Sequence, residues 1–165
     1  SVLVALDASV RIRSAAGERT SDVASLVEGR IYETALAPGE IIVGITVPRR
    51  GPSTGHGFTE FAERKGDYAI AGAAASVTLA GDGTVSDLRL CGIGGLYPKR
   101  LRSAEKDLVG AAVSDGSVRA AAASAAAEFP AGADIHADEP YRRTLFETLA
   151  FRAMRSAIRA AAAGA

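Results

Sequence analysis

The sequence is poor in the residues that most often mark catalytic or metal sites. It has no tryptophan, one cysteine (Cys91) and two histidines (His56 and His136) among 165 residues. One cysteine excludes an internal disulfide and a cysteine-based metal cluster. The histidines lie far apart, with no carboxylate at ligand spacing, and we interpret them as surface or capping residues. The sequence therefore predicts no metal site and no Ser/His/Asp catalysis.

Long apolar runs and an excess of one charge are also missing. No stretch approaches the roughly 18 apolar residues of a membrane-spanning helix, so we expect no membrane span. Nineteen basic and nineteen acidic side chains balance, which argues against a nucleic-acid binder that depends on phosphate contacts. The 48% apolar fraction excludes a disordered tail. The single cysteine fits a reducing cytoplasm, where we expect the protein to reside.

The first fifty residues alternate between apolar and turn-like segments. Ser1 stands in place of an initiator methionine and an apolar run follows at once, so we expect a processed or incomplete chain. Strands are predicted for residues 2–7, 9–14 and 41–47, and a short helix for 21–29 with Ser21 or Asp22 as its N-cap. Residues 49–57 are rich in Gly, Pro and Ser. They predict an exposed link and a domain boundary near residue 50.

The remainder predicts three strands followed by helices. GFTEFAER (57–64) is typical of a strand, and two more flank Asp82-Gly83, a dipeptide that favours a type I′ hairpin. Helices are predicted from an N-cap at Ser103, over 114–129 and over 138–162. The fold class is therefore α+β, with a three-stranded antiparallel sheet packed against a C-terminal helical bundle.

Arginines on the last predicted helix have two interpretations. Arg142 and Arg143 fall in its first turn, where the helix dipole disfavours cations. That position indicates a partner carboxylate or a subunit interface. Arg152, Arg155 and Arg159 form a stripe that is typical of a solvated face, although it could bind an anion.

Two glycine- and alanine-rich segments are candidate ligand contacts. In RKGDYAIAG (64–72), Asp67 and Tyr68 precede small residues that allow a planar group or another backbone to approach closely. The alternative is a strand–turn–strand with Tyr68 in the core. GIGG (92–95) resembles a phosphate loop only superficially, because Pro98 does not suit the start of a phosphate-binding helix. Close backbone approach at a strand end is the favoured interpretation.

Five stretches in order resemble the FAD-binding medium subunit of molybdenum hydroxylases, the group of aerobic carbon monoxide dehydrogenase and xanthine dehydrogenase. They are VALDASVRIRSAAGERT, YETALAPGEIIVGITVP, FTEFAERKGDYAIAGAAASVTL, GIGGLYPKRLRSAEKDLVG and ADIHADEPYRRTL with FRAMRSA. The resemblance implies that residues 1–50 are the last part of the FAD-binding domain. Residues 51–165 would be the C-terminal flavoprotein domain of the carbon monoxide dehydrogenase type.

The same resemblance implies a flavin site that is incomplete in this chain. Family members hold the FAD pyrophosphate on two glycine-rich loops, one AGGT-like and one TIGGN-like, and neither occurs here. Their backbone N–H groups supply much of the affinity, so this chain alone is expected to bind FAD weakly and to be inactive. The resemblance places Ile42 and Tyr68, with its neighbour Asp67, near the isoalloxazine. Glu60 stands where relatives often carry lysine, and a carboxylate there would lower the flavin potential.

The implied function is electron transfer in an oxidoreductase complex. By resemblance, substrate is hydroxylated at a molybdenum cofactor in a large partner subunit. Electrons then pass through 2Fe–2S clusters of a small partner subunit to FAD and on to an acceptor. No residue of this chain is expected to act as a general acid or base. The alternative is a non-catalytic binding or assembly domain that has lost FAD.

Overall fold

The chain forms two antiparallel sheets and five helices in a computed structural model that describes residues 1–31, 33–64 and 66–164. Tyr32 and Lys65, which belong to segments quoted above, and Ala165 lie outside the described residues. The strands are β1 (Ser9–Ser14), β2 (Gly17–Asp22), β3 (Ile41–Thr46), β4 (Thr54–Phe61), β5 (Ala71–Leu79), β6 (Val85–Ile93) and β7 (Lys99–Arg100). The helices are α1 (Val2–Ala5), α2 (Val23–Val27), α3 (Arg102–Leu108), α4 (Asp115–Glu128) and α5 (Glu139–Ala163).

The first sheet has the order β2-β1-β3 and confirms two of the predicted strands. Val10 and Ile12 of β1 alternate with exposed arginines and pack on Leu26 of α2. Asp22 caps α2, and its Oδ1 accepts a hydrogen bond of 2.7 Å from the Ser25 N–H. The sequence did not predict β2, because its residues are polar and almost all exposed, so the strand carries no burial pattern.

The predicted N-terminal strand is wrong, since Val2–Ala5 form a helical turn. Val4 and Ala5 pack against Ala74 and Cys91 on the outer face of the second sheet. A short apolar run is compatible with either structure, and this long-range contact decides for the helix.

Burial raises the pKa of the Cys91 thiol to about 11, which is typical of an unreactive structural cysteine.

The second sheet has the order β4-β5-β6-β7, so the three predicted strands are present and a two-residue strand extends them. β4 starts at Thr54, inside the segment predicted to be an exposed link. The boundary near residue 50 itself stays a prediction.

The β5–β6 hairpin occurs at the predicted place, but its turn is not type I′. Asp82 has no positive φ, whereas Gly83 has φ of 80°, as in a three-residue loop that ends in a glycine bulge.

The two long helices lie where the sequence predicts them, and each starts at a side-chain cap. Ser114 and Ser117 form a capping box at α4, and Asp138 caps α5 by accepting from the Tyr141 N–H at 2.8 Å. The predicted Ser103 cap is wrong because α3 starts at Arg102. The Ser103 hydroxyl instead lies 2.8 Å from a Glu128 carboxylate oxygen. None of the described helices combines the length and the apolarity needed to cross a membrane.

Helix α5 lies directly on β4 and β5 through residues without bulky side chains. A Cβ on Gly55 would stand 2.1 Å from the Ala157 carbonyl oxygen, and one on Gly57 would stand 2.0 Å from that of Ala153. Both distances are far below van der Waals contact, so only glycine fits. On the packed face of α5, Leu149, Met154 and Ile158 are buried, Leu145 is partly buried, and alanines complete the face.

We predict that Gly57→Ala destabilises the fold by about 1–3 kcal/mol or more, because the methyl group would push α5 away from β4. Gly81→Ala is the matched control, since a Cβ there meets no heavy atom of the described residues within 4 Å beyond its chain neighbours. Its effect should stay within about 0.5 kcal/mol. Urea unfolding of both variants measures the difference. Equal stabilities would contradict the close packing of α5 on β4.

Candidate functional site

The segment 62–70 connects β4 to β5 and forms one wall of a cleft. Gly66 has φ of 99°, a conformation that glycine adopts readily. The Asp67 N–H donates to the Arg64 carbonyl at 3.1 Å, and the Ile70 N–H donates to the Phe61 carbonyl at 2.8 Å. The ends of the loop are thus tied by backbone hydrogen bonds, while its middle projects from the sheet.

The side chain of Tyr68 in this loop is fully exposed to solvent. Its relative exposure is 101%, so the interpretation of Tyr68 as a core residue is wrong, although the strand–turn–strand is correct. Of the small residues that follow, Ala69 lines the cleft. Ala71, Ala73 and Ala75 are buried against the helices, and Ala74 is buried beneath α1. This part of the run therefore serves close packing, and contact of the segment with a planar group stays a prediction.

The opposite wall of the cleft comes from the connection between α4 and α5. The cleft has a volume of about 570 Å³ and is lined by residues 63, 64 and 66–70 of the loop together with Asp134, His136 and Arg142. His136 Nδ1 lies 3.5 Å from a carboxylate oxygen of Glu63, so the two walls meet at an exposed pair. Most of the lining residues have charged or polar side chains, and the aromatic ring of Tyr68 lies at the rim.

Arg142 closes the inner end of the cleft. The residue is 4% exposed, and its guanidinium contacts four groups. Nε donates to the Gly132 carbonyl at 2.9 Å, and Nη1 donates to the carbonyls of Gly94, also at 2.9 Å, and Ile70. Nη2 lies 2.8 Å from Asp134 Oδ2. The sequence predicts a partner carboxylate for an arginine in this first turn, and that carboxylate is Asp134 of the same chain.

Asp134 is held as a carboxylate by the groups around it. Its Oδ1 accepts from the backbone N–H groups of His136 and Ala137 at 2.9 and 3.0 Å. These hydrogen bonds, together with the charge of Arg142, lower the pKa of Asp134 below its ordinary value. A negative charge at this position is thus favoured in the folded protein.

Arg143 has a different and purely local role. Its Nη1 donates to the Ala127 carbonyl at 3.1 Å and to the Phe129 carbonyl at 3.0 Å, at the end of α4. Its Nη2 lies 2.6 Å from Glu139. A cation at the C-terminus of a helix complements the dipole there, so Arg143 joins the end of α4 to the start of α5.

The GIGG segment serves close packing, as the favoured interpretation predicted. Gly94 has φ of 77°, and a Cβ there would lie 2.6 Å from the Ile70 carbonyl oxygen. A Cβ on Gly92 would lie 2.6 Å from the Phe129 ring, which is stacked on Phe146. The segment also lines a second cleft, of about 610 Å³, that shares Asp134 and Arg142 with the first.

The four predicted site residues fall in two groups. Asp67 and Tyr68 lie together on the wall of the cleft. Ile42 lies on β3 of the first sheet and is 44% exposed. Glu60 lies on β4, exposed and paired with Gly72 of β5. Neither Ile42 nor Glu60 lines the cleft beside Tyr68.

Residues of the opposite wall were not predicted as site residues. Asp134 carries no local pattern, and His136 was interpreted as a capping or surface residue. The only signal was the unfavourable position of Arg142 in a first helical turn. Within residues 1–31, 33–64 and 66–164, no group of three His, Cys, Asp or Glu side chains is placed to hold a metal ion.

Comparison with known proteins defines the family. Residues 56–157 match the model of the CO dehydrogenase flavoprotein C-terminal domain. That range contains most of β4, all of β5 and β6, the loop 62–70, the GIGG segment and both walls of the cleft. The chain therefore belongs to this flavoprotein family, and its cleft lies within the family's domain.

Individual relatives are subunits of oxidoreductase complexes. The chain is 35% identical to the 6-hydroxypseudooxynicotine dehydrogenase complex subunit alpha of Paenarthrobacter nicotinovorans, over 95% of this chain and 53% of the relative. It is 37% identical to the nicotine 6-hydroxylase medium subunit of the same organism, over 90% and 51%. A solved carbon monoxide dehydrogenase of Hydrogenophaga pseudoflava that lacks the Mo-pyranopterin moiety of the molybdenum cofactor superposes with a TM-score of 0.90. Its identity is 29%, over 96% of this chain and 55% of that chain. The chain thus spans about half the length of these relatives.

We predict that Asp134→Asn lowers stability at neutral pH and that the difference from wild type disappears in acid. Because the folded pKa is depressed, the carboxylate stabilises the fold above its unfolded pKa of about 4. This contribution is lost as the pH falls through the folded pKa. Urea unfolding between pH 7 and pH 2 measures it, with Asp107→Asn as the control because Asp107 is exposed and makes no ion pair with the described residues. A difference between Asp134→Asn and wild type that is unchanged at low pH would contradict the assignment.

Proposed function

We propose that this chain is part of the FAD-binding medium subunit of a molybdenum hydroxylase, and that the cleft beside Tyr68 faces the flavin ring. The observation that carries the proposal is the complete exposure of Tyr68 at the rim of a cleft within the family's domain. An aromatic ring that is fully exposed beside a cleft is suited to stacking on a planar ligand.

The residues present fit the ring portion of FAD. Tyr68 offers an aromatic face, and Asp67 and the backbone of the loop offer polar groups beside it. The GIGG segment does not suit the pyrophosphate, because Phe129 and the carbonyls of Ala69 and Ile70 already occupy the space around its glycines. The glycine-rich loops of the family would supply the phosphate contacts from outside this sequence.

The proposed role is electron transfer in a complex with a large molybdenum subunit and a small iron–sulfur subunit. The names of the relatives support this role, since they are subunits of a dehydrogenase complex and of a hydroxylase. The superposed carbon monoxide dehydrogenase lacks the Mo-pyranopterin moiety in that structure, but it is an enzyme with a molybdenum cofactor, and this supports the cofactor class. Bound FAD supplies the redox chemistry, as an electron acceptor and donor. Tyr68 orients the ring and shields it from water.

Ile42 and Glu60 remain proposed contacts of the flavin site. Ile42 presents an apolar side chain on an edge strand, which suits contact with a planar ring once further chain or ligand covers it. An exposed carboxylate at Glu60 would disfavour additional negative charge nearby and so lower the flavin potential. The catalytic acid–base chemistry of the complex belongs, in this proposal, to the large subunit.

We predict that Tyr68→Ala, in the complete subunit assembled with its partners, alters the flavin absorption spectrum and slows flavin reoxidation. Stability should change by no more than about 0.5 kcal/mol, because the side chain makes no buried contact. Single-turnover reduction by substrate at the molybdenum site should be unchanged. Tyr141→Ala is the control, since Tyr141 is 49% exposed and lies outside the cleft.

Two results would contradict the proposal. A wild-type complex that contains no flavin would favour the alternative of an assembly domain that has lost FAD. A flavin spectrum and reoxidation rate that Tyr68→Ala leaves unaltered would remove Tyr68 from the site.

A further inference from the structure

Arg142 is an arginine in an unusual place. It is almost wholly buried in the first turn of α5, where the helix dipole opposes a positive charge. Burying a guanidinium is costly unless its donors are satisfied. A position that is unfavourable on both counts persists when the surroundings supply several acceptors, and Arg142 has four.

The four acceptors belong to three separate segments. The Ile70 carbonyl ends the loop that carries Tyr68, and the Gly94 carbonyl lies in the turn after β6. The Gly132 carbonyl and the Asp134 carboxylate belong to the connection between α4 and α5. The loop and the α4–α5 connection are the two walls of the cleft beside Tyr68, and the Gly94 turn lines the second cleft. The Arg142 guanidinium contacts all three segments.

The backbone of Ile70 is held by two hydrogen bonds just before β5 starts. Its N–H donates to the Phe61 carbonyl at 2.8 Å, and its carbonyl accepts from Arg142. Ile70 is two residues after Tyr68, so these two hydrogen bonds fix the direction in which the loop enters β5. Arginine is suited to the task because its planar fork holds several donors in fixed directions, whereas a lysine ammonium is a single point charge.

We propose that Arg142 is the positioning residue of the cleft. Its guanidinium holds loop 62–70, the Gly94 turn and the Asp134 segment in fixed positions relative to one another, so that Tyr68 projects at the rim. What Tyr68 meets there rests on the proposed function. The positioning itself is a property of this chain alone. Arg142 acts through the backbone and is not assigned contact with substrate or cofactor.

Amide hydrogen exchange on the full chain tests the proposal directly. In Arg142→Gln, protection should fall by about tenfold or more at the Ile70, Leu96 and Ala137 amides, which are hydrogen-bonded in the three segments. Protection in the middle of α4 should stay at the wild-type level. Arg152→Gln, an exposed arginine on the same helix, is the control and should leave all of these amides unchanged.

Two outcomes would overturn the proposal. The first is unchanged protection in the three segments, and the second is an equal loss throughout the protein, which would make Arg142 a general stabilising residue. If Arg142→Gln does not fold, Arg142→Lys serves with the same measurement, because it keeps the charge and loses the fork. If Arg142→Lys shows the full wild-type protection in the three segments, the fork of the guanidinium is not needed, and that result would also contradict the proposal.

A second measurement uses the assembled complex. Arg142→Lys should alter the flavin absorption spectrum in the same direction as Tyr68→Ala, because Tyr68 is no longer held at the rim. An unaltered spectrum would overturn the role of Arg142 at the flavin. If the wild-type complex contains no flavin, the proposed function fails, while the exchange measurement still decides whether Arg142 positions the loop.

Discussion

The close approach of α5 to the second sheet is the constraint on which the rest of the structure depends. Gly55 and Gly57 place no side chain on β4 at the points where the backbone of Ala157 and Ala153 approaches, and alanine keeps the helix side of this contact small. The helix can therefore lie close to the sheet at these points. Its first turn then reaches the end of β5, where Arg142 meets the carbonyls of the surrounding loops. The packing of small residues and the formation of the cleft are thus one structural feature.

Much of the fold could be predicted because its elements carry local signals. β1 alternates buried and exposed residues, and α4 and α5 have side-chain caps that the sequence displays. The errors lie where a long-range contact decides the local structure. Residues 2–5 are apolar enough for a strand, but their burial against Ala74 and Cys91 selects a helix. β2 is exposed on both faces, so its pairing with β1 could not be read from a pattern of burial.

The candidate site divides in the same way. A local combination of charge, tyrosine and small residues identifies loop 62–70, although most of the small residues pack against helices and the fully exposed ring is that of Tyr68. The Arg142–Asp134 wall depends on contacts between residues distant in sequence, and a single unfavourable position in a helical turn was the only sign of it. Sequence resemblance supplied the family, which local physics could not, because a cleft of this shape can serve many ligands.

A determined structure of the complete subunit with FAD bound tests the central claim most directly. The account predicts that the Tyr68 ring stacks on or against the edge of the isoalloxazine, with ring centroids about 4.5–7 Å apart. Arg142 should retain its contacts with Ile70, Gly94 and Asp134 in that structure. A flavin that lies no nearer to Tyr68 than to Tyr141 would contradict the claim.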